Sequence, residues 1–210
     1  MRNATRLIRI AALIAASVSC GDVVRQGSSP VFLVIDSLQA SRGNVSPGQF
    51  ATTLTSDVIT DVTVPAASCG LPLPPCSITF GDSGQVTLRA PLKDLGATTS
   101  LAPTSNNEVT ITRVRVEYTR ADGRNTPGVD VPYAFDSAIT GTVPAGGALT
   151  LGFELVRNVA KQEAPLAQLR TSRNIISSIA KVTFYGTDRV GNSVQVTGQI
   201  SIEFGNFGDF

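Results

Sequence analysis

Three cysteines, three lysines and sixteen carboxylates are the side chains of this 210-residue chain that could do covalent or proton-transfer chemistry. No histidine accompanies them, which removes Ser–His and Cys–His nucleophiles, His metal ligands and imidazole acid–base work near neutral pH. Ser–Lys catalysis would have to draw on Lys93, Lys161 or Lys181, and Lys181 is expected to open a strand on its wet face. A carboxylate pair can hydrolyse glycosides. The candidates Asp57, Asp61, Asp130, Asp136 and Glu154 fall at expected turns or on exposed strand faces, where solvated acids are the ordinary outcome. Asp122-Gly-Arg-Asn125 and Asp188-x-x-Gly-Asn192 each offer oxygen ligands in a loop. Neither has the run of spaced acids that a calcium cage needs, and turn chemistry explains both. The expectation is a protein with no catalytic residues, no metal site and no cofactor.

Residues 1–20 read in three zones: a basic start with Arg2, Arg6 and Arg9, an apolar stretch from Ile10 to Ala16, and Ser17-Val18-Ser19 before Cys20. A bilayer-spanning helix takes about 20 apolar residues, so this shorter run matches a secretory signal instead. The small residues leading into Cys20 resemble a bacterial lipobox. Ser19 and Gly21 on either side of the cysteine fit the pattern, Val18 is acceptable, and Ser17 stands where the family usually has Leu. The resemblance implies that residues 1–19 are a removed signal peptide, that Cys20 carries a lipid, and that residues 20–29 tether the domain. Gly21 rather than Asp after the cysteine implies the outer membrane of a bacterial envelope. Lipid on Cys20 also explains an odd cysteine count and leaves Cys69 and Cys76 as a disulfide pair. Between them lies Gly-Leu-Pro-Leu-Pro-Pro, too proline-rich for helix or central strand. Closing that loop contributes about 2 kcal/mol by chain entropy, and less where prolines already stiffen the unfolded loop. Two thiols without histidine make a weak metal site.

Removal of the signal changes the charge. The whole chain has 17 basic and 16 acidic residues. Losing Arg2, Arg6 and Arg9, and no acid, leaves fourteen bases against sixteen acids. Such a surface has no field for capturing phosphates, so nucleic acid is not an expected partner.

The elements that must position any site read as strands. With 42% apolar and only 16% charged residues, the chain suits strands and tight turns better than long surface helices. Val31 to Ile35 is an apolar run of strand length, and Gln49 to Val64 alternates Thr and Val with a break near Asp57. Ile78 to Phe80 and Val86 to Leu88 flank Gly81-Asp82-Ser83-Gly84, expected to be a hairpin turn. Val114, Val116 and Tyr118 alternate with polar neighbours before Asp122-Gly123, as do Leu149, Leu151, Phe153 and Leu155 after Pro144-Ala-Gly-Gly147. Val194, Val196, Ile200, Ile202 and Phe204 share one face of the last strand. Lys93 to Asn107 reads as a long exposed loop, and Ala160 to Ile179 lacks alternation, with a short helix possible from Pro165 to Arg170. The fold expected is all-β: an immunoglobulin-like antiparallel β-sandwich over residues 30–210, with long loops and one short helix. A closed barrel is the alternative.

The stretch Val182-Thr-Phe-Tyr-Gly-Thr-Asp188-Arg-Val-Gly191-Asn192-Ser-Val-Gln-Val196 resembles the final hairpin of bacterial immunoglobulin-like modules. The resemblance spans about 25 residues and implies fold rather than function. The tail Phe204-Gly-Asn-Phe207-Gly-Asp-Phe210 carries aromatics that strand alternation alone cannot bury. Either it is a mobile tail with Phe207 and Phe210 as partner contacts, or Phe204 ends a core strand and the rest folds back. The functional expectation is a non-enzymatic, lipid-anchored module that binds or braces an envelope protein or glycan. A carbohydrate-binding module is the second reading, weakened by no Trp and three Tyr, and a carboxylate enzyme the third.

Overall fold

Alternating Val, Thr, Ile and aromatic residues form strands wherever one face can be buried. The computed structural model describes residues 29–43, 49–62, 76–93 and 103–207. Cys20, Cys69 and Phe210 lie outside them, as do the signal peptide and most of the tether. The strands are β1 (Val34–Ser41), β2 (Thr53–Asp57), β3 (Thr60–Val62), β4 (Cys76–Ile78), β5 (Asp82–Arg89), β6 (Val109–Arg120), β7 (Phe135–Val143), β8 (Ala148–Val156), β9 (Ile176–Asp188) and β10 (Ser193–Gly205). One sheet has the order β1-β5-β8 and a second the order β2-β10-β9-β6-β7, with β3 and β4 as a separate ribbon. All pairs are antiparallel except β2, which runs parallel to β10. This is the expected all-β sandwich. Short 3₁₀ segments cover Ser105–Asn107, Val159–Gln162 and Leu166–Thr171, the last beginning after Pro165. No helix among the described residues is long and apolar enough to cross a membrane.

The core lies between the two large sheets. Val86, Leu88, Phe153 and Leu155 of one belong to the same buried cluster as Val114, Val116, Val182, Phe184 and Ile202 of the other. Full burial of each such side chain stabilises by about 1.5–3 kcal/mol. Phe153 meets Phe184 edge-on with ring centres 5.3 Å apart, and the Tyr118 hydroxyl donates to the Leu155 carbonyl at 2.6 Å. Gly84 lets the Phe153 ring approach, because a Cβ there would lie 2.3 Å from it. In β6 both Ile111 and Val114 are buried although they stand three positions apart, an odd spacing that strict alternation would put on opposite faces. A register shift between Ile111 and Arg113 adds one residue and turns both inward.

Four expectations need correction. Only the end of the apolar run Val31 to Ile35 lies in a strand, since β1 starts at Val34 and continues to Ser41; Val31 itself makes an isolated bridge to Leu92. Gly81 to Gly84 is not a hairpin turn. Asp82, Ser83 and Gly84 belong to β5, and β4 pairs with β3 instead. Alternation on β5 continues inward through Gly84 to Asp82, and the buried partner of Asp82 is too remote in sequence to be read. The segment from Ala160 to Ile179 includes the start of β9 at Ile176, so Lys181 lies inside that strand.

Strand register sorts the connections to two ends. At the near end, Arg89 pairs with both Val34 and Ala148, Val109 pairs with Val143 and Asp188, and the chain comes in through Ser29. At the far end lie Ser41, Asp57, Asp82, Val156, Ile176 and Gly205, with the connections 121–134 and 157–175.

Candidate functional site

The far end holds a polar centre sealed from solvent. Leu54 points inward from β2, so alternation also carries Ser56 inward, and Ser56 is 0% exposed. Alternation on β5 brings Asp82 to the same interior. The Val159–Gln162 segment then lays Lys161 across them, its side chain and that of Asp82 each 1% exposed. Lys161 Nζ lies 2.7 Å from Asp82 Oδ2 and donates to the Asp57 carbonyl at 2.8 Å. The Ser56 hydroxyl donates to Asp82 Oδ2 at 2.6 Å, and the Gly43 N–H donates to Oδ1 at 3.1 Å. Asp57 is also buried. Its carboxylate accepts from the Thr60 hydroxyl at 3.1 Å and the Phe207 N–H at 3.2 Å.

Burial pushes the Lys161 ammonium pKa down, against the opposing attraction of Asp82. Removing either partner would strand a charge in the core, at a cost of about 3–5 kcal/mol. Ser56 and Lys161 both donate to Asp82, so the serine is not activated by the amine, and no substrate reaches a hydroxyl with no exposure. The centre is therefore no Ser–Lys hydrolase site.

Ser178-Ile-Ala-Lys181 has the Ser-x-x-Lys spacing of some serine nucleophiles, but three residues along a strand reverse the face. Ser178 is buried, while Lys181 is exposed beside Glu117 at 3.5 Å. The expectation that candidate acids are solvated fails for Asp57, which is buried; Asp130 is half-buried, and Asp61, Asp136 and Glu154 are exposed. Asp61 accepts from Ser77 at 2.5 Å, Asp130 from the Thr126 N–H at 3.1 Å, and Asp136 takes Arg113 at 3.0 Å and Arg115 at 2.6 Å. Glu154 stands exposed on β8. It lines a shallow groove of about 510 Å³ with Phe50, Ser83 and Phe153.

Both loop acids spend their oxygens on N–H donors. Asp188 Oδ1 accepts from the N–H groups of Val190 at 3.1 Å and Asn192 at 2.8 Å, and Oδ2 accepts from the Asn192 amide at 2.8 Å. Burial raises the pKa of that carboxyl, but the donors from Asn192, Ser29 and Val190 more than offset it and hold it below its ordinary value. Gly191, at φ 89°, supplies the turn conformation. Asp122 receives Arg124 at 2.7 Å and Arg120 at 2.8 Å, which hold its carboxyl at about 2. Among the described residues, no group of three or more acids and cysteines converges on a metal position.

Cys76 opens β4, where it is half-buried and its neighbour Val62 belongs to β3. Phe204 is fully buried at the end of β10. Phe207 folds back on the far end, its N–H on Asp57 and its ring 5.4 Å from the Arg42 guanidinium. The tyrosines do not form a row: Tyr118 is buried, Tyr185 lies under Arg113 at 3.9 Å, and Tyr133 is exposed on a loop. No protein-family model, curated protein or solved structure matches the chain.

Proposed function

We propose that the chain is a non-enzymatic envelope lipoprotein: a β-sandwich held to a bacterial outer membrane by lipid on Cys20, which binds or braces an envelope protein or glycan. One observation carries this reading. The chain comes in at the near end, where Ser29 is buried and its hydroxyl bonds to Asp188, while the groove, the long connections and Phe207 sit at the opposite end. A domain tethered at one end presents the other to its surroundings. The converging acids Asp57 and Asp82 are sealed, which favours binding over catalysis on them. In this reading Cys69 and Cys76 form a disulfide that closes the proline-rich loop leading into β4, and Phe207 and Phe210 belong to the contact face. The sugar-binding alternative draws no support from the tyrosines, since sugars need flat aromatic faces side by side.

Two measurements test this proposal. Mass spectrometry of envelope protein should find a mature N-terminus at Cys20 with lipid attached; an uncleaved or unlipidated start would overturn the anchor. Crosslinking pull-down from native membranes should recover one dominant envelope partner, and substitutions around Glu154 and Phe207 should abolish the capture. Glycan turnover by the purified protein would replace binding with catalysis.

A further inference from the structure

The far-end centre holds an amine and a carboxyl in contact, with water excluded from both. In solution such a pair stays ionic, because an ammonium has no lone pair and a carboxylate is a poor electrophile. Burial changes this balance. Each side chain is 1% exposed, burial pushes the Lys161 pKa down and so favours its neutral amine, and a proton need move only across the 2.7 Å contact to make amine and acid. Two donors already point at the carboxyl, Ser56 Oγ on Oδ2 at 2.6 Å and the Gly43 N–H on Oδ1 at 3.1 Å. They polarise the carbonyl and stabilise the oxyanion that addition of the amine would create. The Asp57 carbonyl accepts from Nζ at 2.8 Å and fixes the direction of the amine.

We propose that Lys161 and Asp82 condense into an intramolecular amide, a covalent link between β5 and the segment that follows β8. The lone pair of Nζ adds to Cγ of Asp82 and forms the C–N bond. One carboxyl oxygen then leaves as water, carrying two of the three protons that began on the ammonium. An ammonium and a carboxylate become one neutral amide and one water, so charge and atoms balance with no oxidant or co-reactant. Exclusion of bulk water disfavours the reverse hydrolysis. The step consumes both groups once and has no external substrate, so it stands independently of what the far end binds.

Peptide mapping of the full-length protein tests this without relying on a variant that folds. Trypsin has no site between Arg42 and Arg89, so Asp82 emerges within residues 43–89. Unlinked Lys161 is itself a cleavage site and yields residues 158–161 and 162–170 separately. After reduction of disulfides, the expected product is residues 43–89 joined to residues 158–170, lighter than their sum by one water, with fragmentation placing the bond at Asp82 and Lys161. Lys161→Arg keeps a cation but lacks the condensing amine, and should return the separate peptides. Recovery of the separate, full-mass peptides from the unaltered protein would overturn the proposal and leave the contact an ion pair.

Discussion

Asp188 at the near end and Asp82 at the far end are both buried aspartates, 5% and 2% exposed, and the sandwich satisfies them in opposite ways. Asp188 is served mainly by neutral donors from its own turn, Val190 and Asn192, with Ser29 added from the incoming chain. Asp82, in the ionic form from which any condensation starts, is served by a cation 79 positions away and by a hydroxyl from another sheet. The near end stabilises a charge with local dipoles that form as soon as the hairpin does. The far end needs three separate segments in place before its charge has a partner. A local solution fails gently when one donor is lost, whereas a remote one leaves an opposite charge uncompensated.

The largest test of that contrast is Asp82→Ala, which strands Lys161 in the core. A loss of about 3–5 kcal/mol is expected in urea unfolding, and a loss below 1 kcal/mol would show that solvent reaches the centre. Asp188→Ala should cost less, about 1–3 kcal/mol, because its N–H donors are neutral and lie near the surface. The same pair of proteins carries a pH signature. The folded pKa of Asp188 is below the ordinary 3.8, so its contribution is present above that value and lost as pH falls through the folded pKa. The gap between wild type and Asp188→Ala, measured by urea midpoints, should therefore narrow below pH 3.8. Next in size is Gly191→Ala, which forces a Cβ into φ 89° and should cost about 1–2 kcal/mol by thermal unfolding. Smallest is Arg189→Ala at the near end. Its partner Glu108 lies 2.5 Å away but the arginine side chain is 58% exposed, so about 0.2–1 kcal/mol is expected, less at high salt.

The same division governs what the sequence disclosed. Asp188 was legible as a turn brace because its donors within the turn, Val190 and Asn192, lie within four residues and Gly191-Asn192 is a turn signal, whereas its bond from Ser29 was not. The faces of β6, β8 and β10 were legible because alternation is local. The far-end centre was not. Asp82 sits in Gly-Asp-Ser-Gly, a composition that mimics a turn, and only stepping back by twos from Leu88 and Val86 places it on the core face. Lys161 carried no periodic signal at all, since Val159–Gln162 is one short 3₁₀ turn whose neighbours are fixed by tertiary packing. The start of β9 at Ile176 was hidden for a related reason. Ser177 is exposed and Ser178 buried, so polarity does not mark the two faces there.

The parallel seating of β2 on β10, together with an incoming chain at one end and the close of β10 at the other, has a mechanical consequence. A pull between Ser29 and Phe207 runs nearly along the strands, so the ladders resist in shear, many hydrogen bonds at once, instead of opening one by one. Thr53 to Asp57 then acts as a splint along the last turns of the strand under tension. Stretched between a membrane and a partner, such a sandwich would behave as a stiff link in series.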